Sequence, residues 1–296
     1  MRIAQITDLH VVARGRLCYR KVPTNDQLAQ AVDHINNLSP APDVVIASGD
    51  LVDHGREEEY LVLREILSSL RFPVYVIPGN HDNREMLTKA FADQGYMPQG
   101  SRFVNYAVDD YPIRLIGLDT SVAGHHHGEM CDERLRWLDE TLAARPDAPT
   151  LIFMHHPPFR TGIQWMDASG LHGGRAMEKL VARHRQVIRV ACGHIHRPIH
   201  VAWAGTIAST STSTCHQVAL ELSGGDGFEF IMEPRAIQIH VWDPGYGLVS
   251  HLSYLPNSYE PLAMLCGLDA ASRDSVIQQT KRDYEDLRKS EFDRKN

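Results

Sequence analysis

The sequence predicts an α/β fold in which strands and helices are layered around one large core. Short apolar runs recur between amphipathic stretches along the first two thirds of the chain, which is typical of buried strands alternating with helices. Alternating apolar and polar segments follow after residue 196 and predict antiparallel strands, so that a second sheet could pack on the first as a sandwich. With 296 residues, 43% hydrophobic and 23% charged, the chain has the composition of a soluble globular protein.

Six apolar runs are long enough for buried strands, and four stretches between them place leucine, valine or isoleucine at helical spacing. The predicted strands are 3–6, 44–47, 74–77, 115–118, 151–154 and 187–191. The predicted helices are 25–38, 56–70, 131–143 and 174–184. The predicted antiparallel strands are 199–203, 216–222, 236–242 and 248–255.

Charge and hydropathy exclude several classes of protein. The formal charge of -7 gives no general attraction for nucleic acid, which is therefore an unfavoured partner. The first ten residues lack a long apolar secretory segment, and no stretch approaches the roughly twenty apolar residues that span a bilayer. We expect a cytoplasmic protein with no membrane partner.

Polar side chains follow all six predicted parallel strands. Each alone has an ordinary explanation as a turn, a helix cap or a solvated loop residue. Together they form Asp-x-His, Gly-Asp, Gly-Asn-His-Asp, His-His-Pro-Pro and Gly-His-x-His in that order, which chance does not readily produce. In Asp-x-His and His-x-His, alternate side chains of an extended segment point the same way and can reach one ion. Good metal ligands follow five of these strands, namely Asp8, His10, Asp50, Asn80, His155, His194 and His196. Asp119 follows the remaining strand.

The motifs DLH, GDLVDHG, GNHD, HHPP and GHIH resemble those of the calcineurin-like metallophosphoesterases. Within that family, the spacing is similar to that of bacterial class III cyclic nucleotide phosphodiesterases and glycerophosphodiesterases. The resemblance runs from residue 1 to about residue 216 and implies a four-layer αββα sandwich with two mixed sheets. It also implies hydrolysis of a small phosphodiester, 3′,5′-cAMP or a glycerophosphodiester, by water that two metal ions activate.

The resemblance implies a role for each matching residue. Asp8, His10 and His196 would hold one ion, Asn80, His155 and His194 would hold the other, and Asp50 would bridge them. His81 would be the catalytic histidine that contacts the phosphate and protonates the leaving group. Asn80, His81 and His216 would contact the substrate, whereas His156 is a less favoured ligand than His155.

The donor set agrees with these implied roles. Imidazole, carboxylate and amide oxygen donors without thiolate suit two divalent or mixed-valence ions of Fe, Mn, Co or Zn. Two carboxylates against two divalent ions leave an excess of roughly two positive charges, which would attract an anionic diester.

The same residues are also compatible with other functions. A scaffold protein that keeps the fold without the chemistry, a nuclease and a phosphomonoesterase are the alternatives. Asp53 and Asp82 could orient histidines or cap helices, and the run His125–His127 could be a solvated loop or face the substrate.

The domain organisation is expected to be simple. Residues 1–256 would form the catalytic domain, with loops 11–24, 120–130 and 159–173 around its pocket. Residues 257–296 would form a C-terminal extension, helical or partly disordered, that could act as a small cap or an oligomerisation element. Because related enzymes assemble, we expect a homo-oligomer.

Overall fold

A computed structural model describes residues 1–224, 228–255 and 267–293 of the chain. The chain divides into two compact units. The first contains Met1–Trp242 and Leu248–Pro256, and the second contains Asp243–Gly247 and Asn257–Asn296. The predicted domain boundary at residue 257 falls outside the described residues and stays a prediction.

The described elements alternate between strand and helix as far as residue 192 and are mainly strands afterwards. The strands are β1 (Arg2–Ile6), β2 (Val44–Ser48), β3 (Val74–Ile77), β4 (Tyr106–Val108), β5 (Arg114–Leu118), β6 (Gly128–Glu129), β7 (Thr150–Met154), β8 (Leu171–His172), β9 (Val187–Cys192), β10 (Ile199–Trp203), β11 (Thr206–Thr210), β12 (Gln217–Val218), β13 (Phe230–Ile231), β14 (Arg235–Asp243) and β15 (Gly247–Leu255). The helices are α1 (Thr24–Asn36), α2 (Glu57–Leu67), α3 (Arg84–Ala90), α4 (Asp132–Ala143), α5 (Gln164–Asp167), α6 (Gly174–Val181) and α7 (Ala270–Asp293).

Two mixed sheets form the centre of the first unit. One has the order β15-β14-β1-β2-β3, in which β1, β2 and β3 are parallel and β14 runs antiparallel to β1. The other has the order β10-β11-β9-β7-β5-β4, with a parallel centre and an antiparallel strand at each edge. Strands β2 and β7 are buried at every position because they lie between the facing sheets and the helices.

Helices cover the outer faces of the two sheets. α1, α2 and α3 pack side by side among the connections of the first sheet, and α4 packs on α6 among those of the second. One hydrophobic core runs through these elements. The predicted α/β sandwich of two mixed sheets is confirmed, as are its six buried strands and its four helices.

The late strands differ from the expectation that they would form a sheet of their own. β10 extends the second sheet through β11, whereas β14 joins the first sheet beside β1. The reason is that each parallel centre leaves an edge with unpaired backbone groups, and a late strand satisfies them. As a consequence, three of the six polar segments that follow parallel strands belong to each sheet. The site lies where the carboxyl ends of the parallel strands of the two sheets meet.

Candidate metal centre

The seven predicted ligands come together at the carboxyl ends of the strands of both sheets. Asp8 and His10 follow β1, Asp50 follows β2, and Asn80 follows β3. The remaining three, His155, His194 and His196, follow β7 and β9 of the other sheet.

Five of these seven residues have a left-handed backbone conformation. The φ angles are 52° at Asp8, 44° at His10, 47° at Asp50, 70° at His194 and 53° at His196. For a residue other than glycine, this conformation costs on the order of 1–3 kcal/mol. It therefore persists only where the surrounding structure holds the residue in place. The concentration of strain at these positions marks them as a site whose geometry is maintained against the backbone's own preference.

Three side chains form the first ligand set. Nε2 of His10 lies 3.2 Å from Nε2 of His196, and the latter lies 3.3 Å from Oδ1 of Asp8. Two imidazole nitrogens this close, each about 2.1 Å from a shared ion, would subtend an angle of roughly 100° at it. The set therefore has the dimensions of a metal site.

The second ligand set lies on the other side of Asp50. Nε2 of His155 is 3.1 Å from Oδ1 of Asn80. His194 stands beside His155, with ring centroids 5.1 Å apart. Because Nε2 of His194 is within 3.1 Å of the Ser169 carbonyl oxygen, Nδ1 is the ring atom left for an ion.

The Asp50 carboxylate lies between the two sets. Its Oδ2 is 3.8 Å from Nε2 of His10 and 3.3 Å from Nε2 of His155. Its Oδ1 accepts the backbone N–H of His81 at 2.9 Å. With Oδ1 held in this way, Oδ2 is the atom placed to bridge two ions.

Hydrogen bonds behind the ligands fix which ring nitrogen faces the site. Nδ1 of His10 donates to Oδ1 of Asp53 at 3.0 Å, and Nδ1 of His155 donates to the Ser48 carbonyl at 2.9 Å. Nδ1 of His196 donates to the His216 carbonyl at 2.9 Å. Such contacts set the tautomer and raise the basicity of a metal-ligating histidine.

Two glycines allow the strands to approach each other at the site. Gly49 has a φ of 92°, and a Cβ there would lie 2.5 Å from Nδ1 of His155. A Cβ on Gly79 would overlap Oδ1 of Asp50. Any side chain at either position would displace a predicted ligand.

The electrostatic field of the site favours cations. Burial would raise the pKa values of Asp8 and Asp50, but the neighbouring histidines, chiefly His196 and His155, lower both. Burial would lower the pKa of His155, but the Asp50 carboxylate raises it to about 9. The negative charge that favours a proton on His155 equally favours a bound metal cation.

His81 lies at the rim of the site. Its Nδ1 donates to the Asp53 carbonyl at 2.8 Å, and its ring meets that of His10 edge-on at 4.7 Å. Burial would lower its pKa, but the Asp50 carboxylate and the Asp53 backbone outweigh that effect and raise it. A cavity of about 320 Å³ opens beside His81 and is lined by Asn80, Asn83, Arg84 and Ser121 among others.

The residues that line that cavity do not include His216, whose ring packs against two of the predicted ligands. Its ring centroid is 4.8 Å from that of His196 and 5.3 Å from that of His10. Burial, followed by the neighbouring His196, lowers its pKa, so the ring stays neutral.

Three further carboxylates near the predicted ligands have defined surroundings. Asp53 orients His10, whereas Asp82 accepts the backbone N–H groups of Leu51 and Gly79 and so joins two ligand loops. Asp119 pairs with Arg84 in a separate buried network.

Both ring nitrogens of His156 are already occupied, by the Thr120 hydroxyl and the His126 carbonyl. His156 therefore has no free donor for an ion, although it lies next to His155. His126 also accepts from the Asn80 amide at 3.3 Å, so the run His125–His127 borders the site.

Comparison with known proteins identifies relatives across the site-bearing region. The family model of the calcineurin-like phosphoesterases matches residues 1–198. A probable glycerophosphodiester phosphodiesterase GpdQ of Arcobacter nitrofigilis is 41% identical over 86% of this chain and 93% of its own. A probable cyclic nucleotide phosphodiesterase of Rhodopseudomonas palustris is 38% identical over 75% of this chain and 81% of its own.

Solved structures share the fold. A dimetal phosphatase from Danio rerio superimposes with a TM-score of 0.60 at 17% sequence identity, over 81% of this chain and 92% of that one. At this identity the likeness concerns the fold alone.

Proposed function

The chain belongs to the calcineurin-like phosphoesterase family, and on that premise we propose that it is a metal-dependent phosphodiesterase acting on small phosphodiesters. A 3′,5′-cyclic nucleotide and a glycerophosphodiester are the two substrate classes, because relatives named for each are among the most similar. The observation that carries the proposal is the pair of ligand sets on either side of Asp50.

The proposed centre would hold two ions. Asp8, His10 and His196 would hold one, Asn80, His155 and His194 would hold the other, and the Asp50 carboxylate would be shared between them. The donor distances within each set and the hydrogen bonds behind the histidines fit this assignment. The donors are nitrogen and oxygen atoms only, which suits Fe, Mn, Co or Zn.

The chain's own residues supply the rest of the site. When bound, two such ions lower the pKa of a water molecule and neutralise the phosphoryl charge. Asn80 and His81 border the cavity beside the ligands, where they can contact a phosphoryl oxygen. With Nδ1 of His81 held by the Asp53 carbonyl, Nε2 is left to donate a proton to the departing alkoxide. Neutral His216, which packs against His10 and His196, can donate one hydrogen bond to the substrate.

Assembly and location complete the proposal. We propose a homo-oligomer in the cytoplasm, with no membrane and no nucleic-acid partner. Val276 and Ile277 of α7 are exposed apolar side chains of the kind that a second copy covers. No helix in the described part of the chain is long and apolar enough to cross a bilayer. Light scattering on a gel-filtration column measures the mass of the assembly.

Turnover on a panel of phosphate esters tests the function. Metal-reconstituted protein would be assayed on 3′,5′-cAMP, glycerophosphoethanolamine, an aryl diester and an aryl monoester. We expect hydrolysis of the diesters. Exclusive cleavage of the monoester would instead identify a phosphomonoesterase, and inactivity on the whole panel would favour a scaffold.

Two variants test the roles of individual residues. Asp50→Ala should lower the metal content per chain, because it removes the bridge. His81→Ala should slow diesters with poor leaving groups far more than aryl diesters, because only the former need a proton donor. Equal slowing of both substrate types would remove His81 from that role.

A further inference from the structure

Two aromatic rings stack beside His216 at the edge of the metal centre. The rings of Tyr19 and Phe230 lie 5.1 Å apart between centroids and are within 21° of parallel. Each meets the His216 ring edge-on, at 5.2 Å for Tyr19 and 5.3 Å for Phe230. Because His216 itself touches two predicted ligands, the aromatic pair is one side chain away from the proposed ion positions.

The pair is held from two separate parts of the chain. Tyr19 and Arg20 have φ angles of 49° and 59°, in a turn closed by the hydrogen bond from Cys18 N–H to the Val22 carbonyl. Phe230 lies on β13, directly across from Val218 of β12. A strained turn therefore positions Tyr19 and a strand pair positions Phe230, so that the two rings stack.

Packing within the protein covers these two rings only in part. Tyr19 is 50% exposed and Phe230 is 36% exposed, although both are large apolar side chains. Exposed aromatic surface next to a polar site is typical of a surface that a ligand covers. By contrast, the cavity beside His81 is lined by polar side chains such as Asn83, Arg84 and Ser121.

We propose that the Tyr19–Phe230 pair determines substrate preference by stacking on a flat aromatic group of the diester, a nucleobase, and so selects a cyclic nucleotide over a glycerophosphodiester. This inference rests on the proposed diesterase function. A base stacked on an aromatic side chain gains roughly 5- to 150-fold in affinity. Glycerol has no π face, and its hydroxyl groups would lose water against these rings without gaining a hydrogen bond.

Steady-state kinetics of the full-length, metal-reconstituted protein test the inference. Tyr19→Leu and Phe230→Leu remove one ring each while keeping an apolar side chain. Tyr19→Phe keeps the ring and removes only the hydroxyl group. Tyr254→Leu is the matched control, since Tyr254 is also 50% exposed but lies on the edge strand β15. The substrates are 3′,5′-cAMP, glycerophosphoethanolamine and glycerophosphocholine.

We expect both leucine variants to raise the KM for cAMP at least about 5-fold with little change in kcat, because stacking contributes to ground-state binding. Glycerophosphoethanolamine kinetics should change less than about twofold. Tyr19→Phe should retain the preference for cAMP, and Tyr254→Leu should not alter the ratio of the two activities.

Several results would overturn the inference. Equal losses on cAMP and glycerophosphoethanolamine would mean that the rings only support His216, and unchanged kinetics would mean that no substrate touches them. A selective loss on glycerophosphocholine would assign the rings to a quaternary ammonium group. A wild-type protein that cleaves glycerophosphoethanolamine but not cAMP also contradicts it, whereas a wild-type protein that cleaves no diester refutes the proposed function itself.

Discussion

The hydrogen bond from His10 to Asp53 gives a direct way to weaken one proposed metal site without substituting a proposed ligand. Oδ1 of Asp53 accepts the Nδ1 proton of His10 at 3.0 Å, and both side chains are more than nine-tenths buried. In Asp53→Asn a neutral amide replaces the carboxylate, so a charge-assisted hydrogen bond becomes a neutral one. That difference is about 1–2 kcal/mol, which corresponds to roughly 5- to 30-fold in affinity.

The expected result is weaker binding of one ion only. Mn²⁺ titration of the metal-free protein by calorimetry should show two binding steps, of which the one that uses His10 weakens by about tenfold in Asp53→Asn. Asp139→Asn is the matched control, because Asp139 also accepts a hydrogen bond from a histidine, His184, at 2.7 Å but lies outside the site. Unchanged affinity at both steps in Asp53→Asn, or equal weakening at both, would refute the assignment of Asp53 to His10.

Three further predictions concern the close approach of backbone to ligand, the acid stability of the fold and the need for metal. Gly79→Ala should reduce diester turnover at least about 100-fold, because the new Cβ overlaps Oδ1 of Asp50, the proposed bridge. Gly95→Ala, where a Cβ meets nothing within 4 Å, should not. His240 is buried, which lowers its pKa to about 3, so only the unfolded chain binds its proton between roughly pH 6.5 and pH 3. This difference should lower the free energy of unfolding with decreasing pH by up to about 1.4 kcal/mol per unit, and urea titrations should show that His240→Gln, unlike the exposed His251→Gln, reduces the slope by about that amount. Chelation should abolish diester turnover and Mn²⁺ should restore it, whereas turnover that survives exhaustive chelation would contradict metal dependence.

The sequence predicts the parallel strands well, together with the polar residues that follow their carboxyl ends. A strand buried on both faces is a continuous apolar run, and the chain must become polar where the strand reaches the surface. For this reason 44–47 and 151–154 are recognisable without any partner strand. The sheet to which a strand belongs is not recognisable in the same way, because a pairing such as that of β14 with β1 joins residues that lie far apart in the chain.

The contacts behind the ligands are likewise beyond the sequence pattern. Whether Asp53 caps a helix or orients a histidine depends on the parallel bridge between Val11 and Val52, which places the two loops side by side. The aromatic pair escaped prediction for the same reason. Phe230 lies far from Tyr19 in sequence and is positioned only by the short strand pair β12–β13.

Anomalous diffraction from crystals of the manganese-loaded protein would locate the two proposed ions themselves. We predict two peaks about 3.5–4 Å apart on either side of Oδ2 of Asp50. One peak should contact His10 and His196, and the other should contact Asn80 and His155. A single peak, or two peaks that do not share Asp50, would contradict the proposed dinuclear centre.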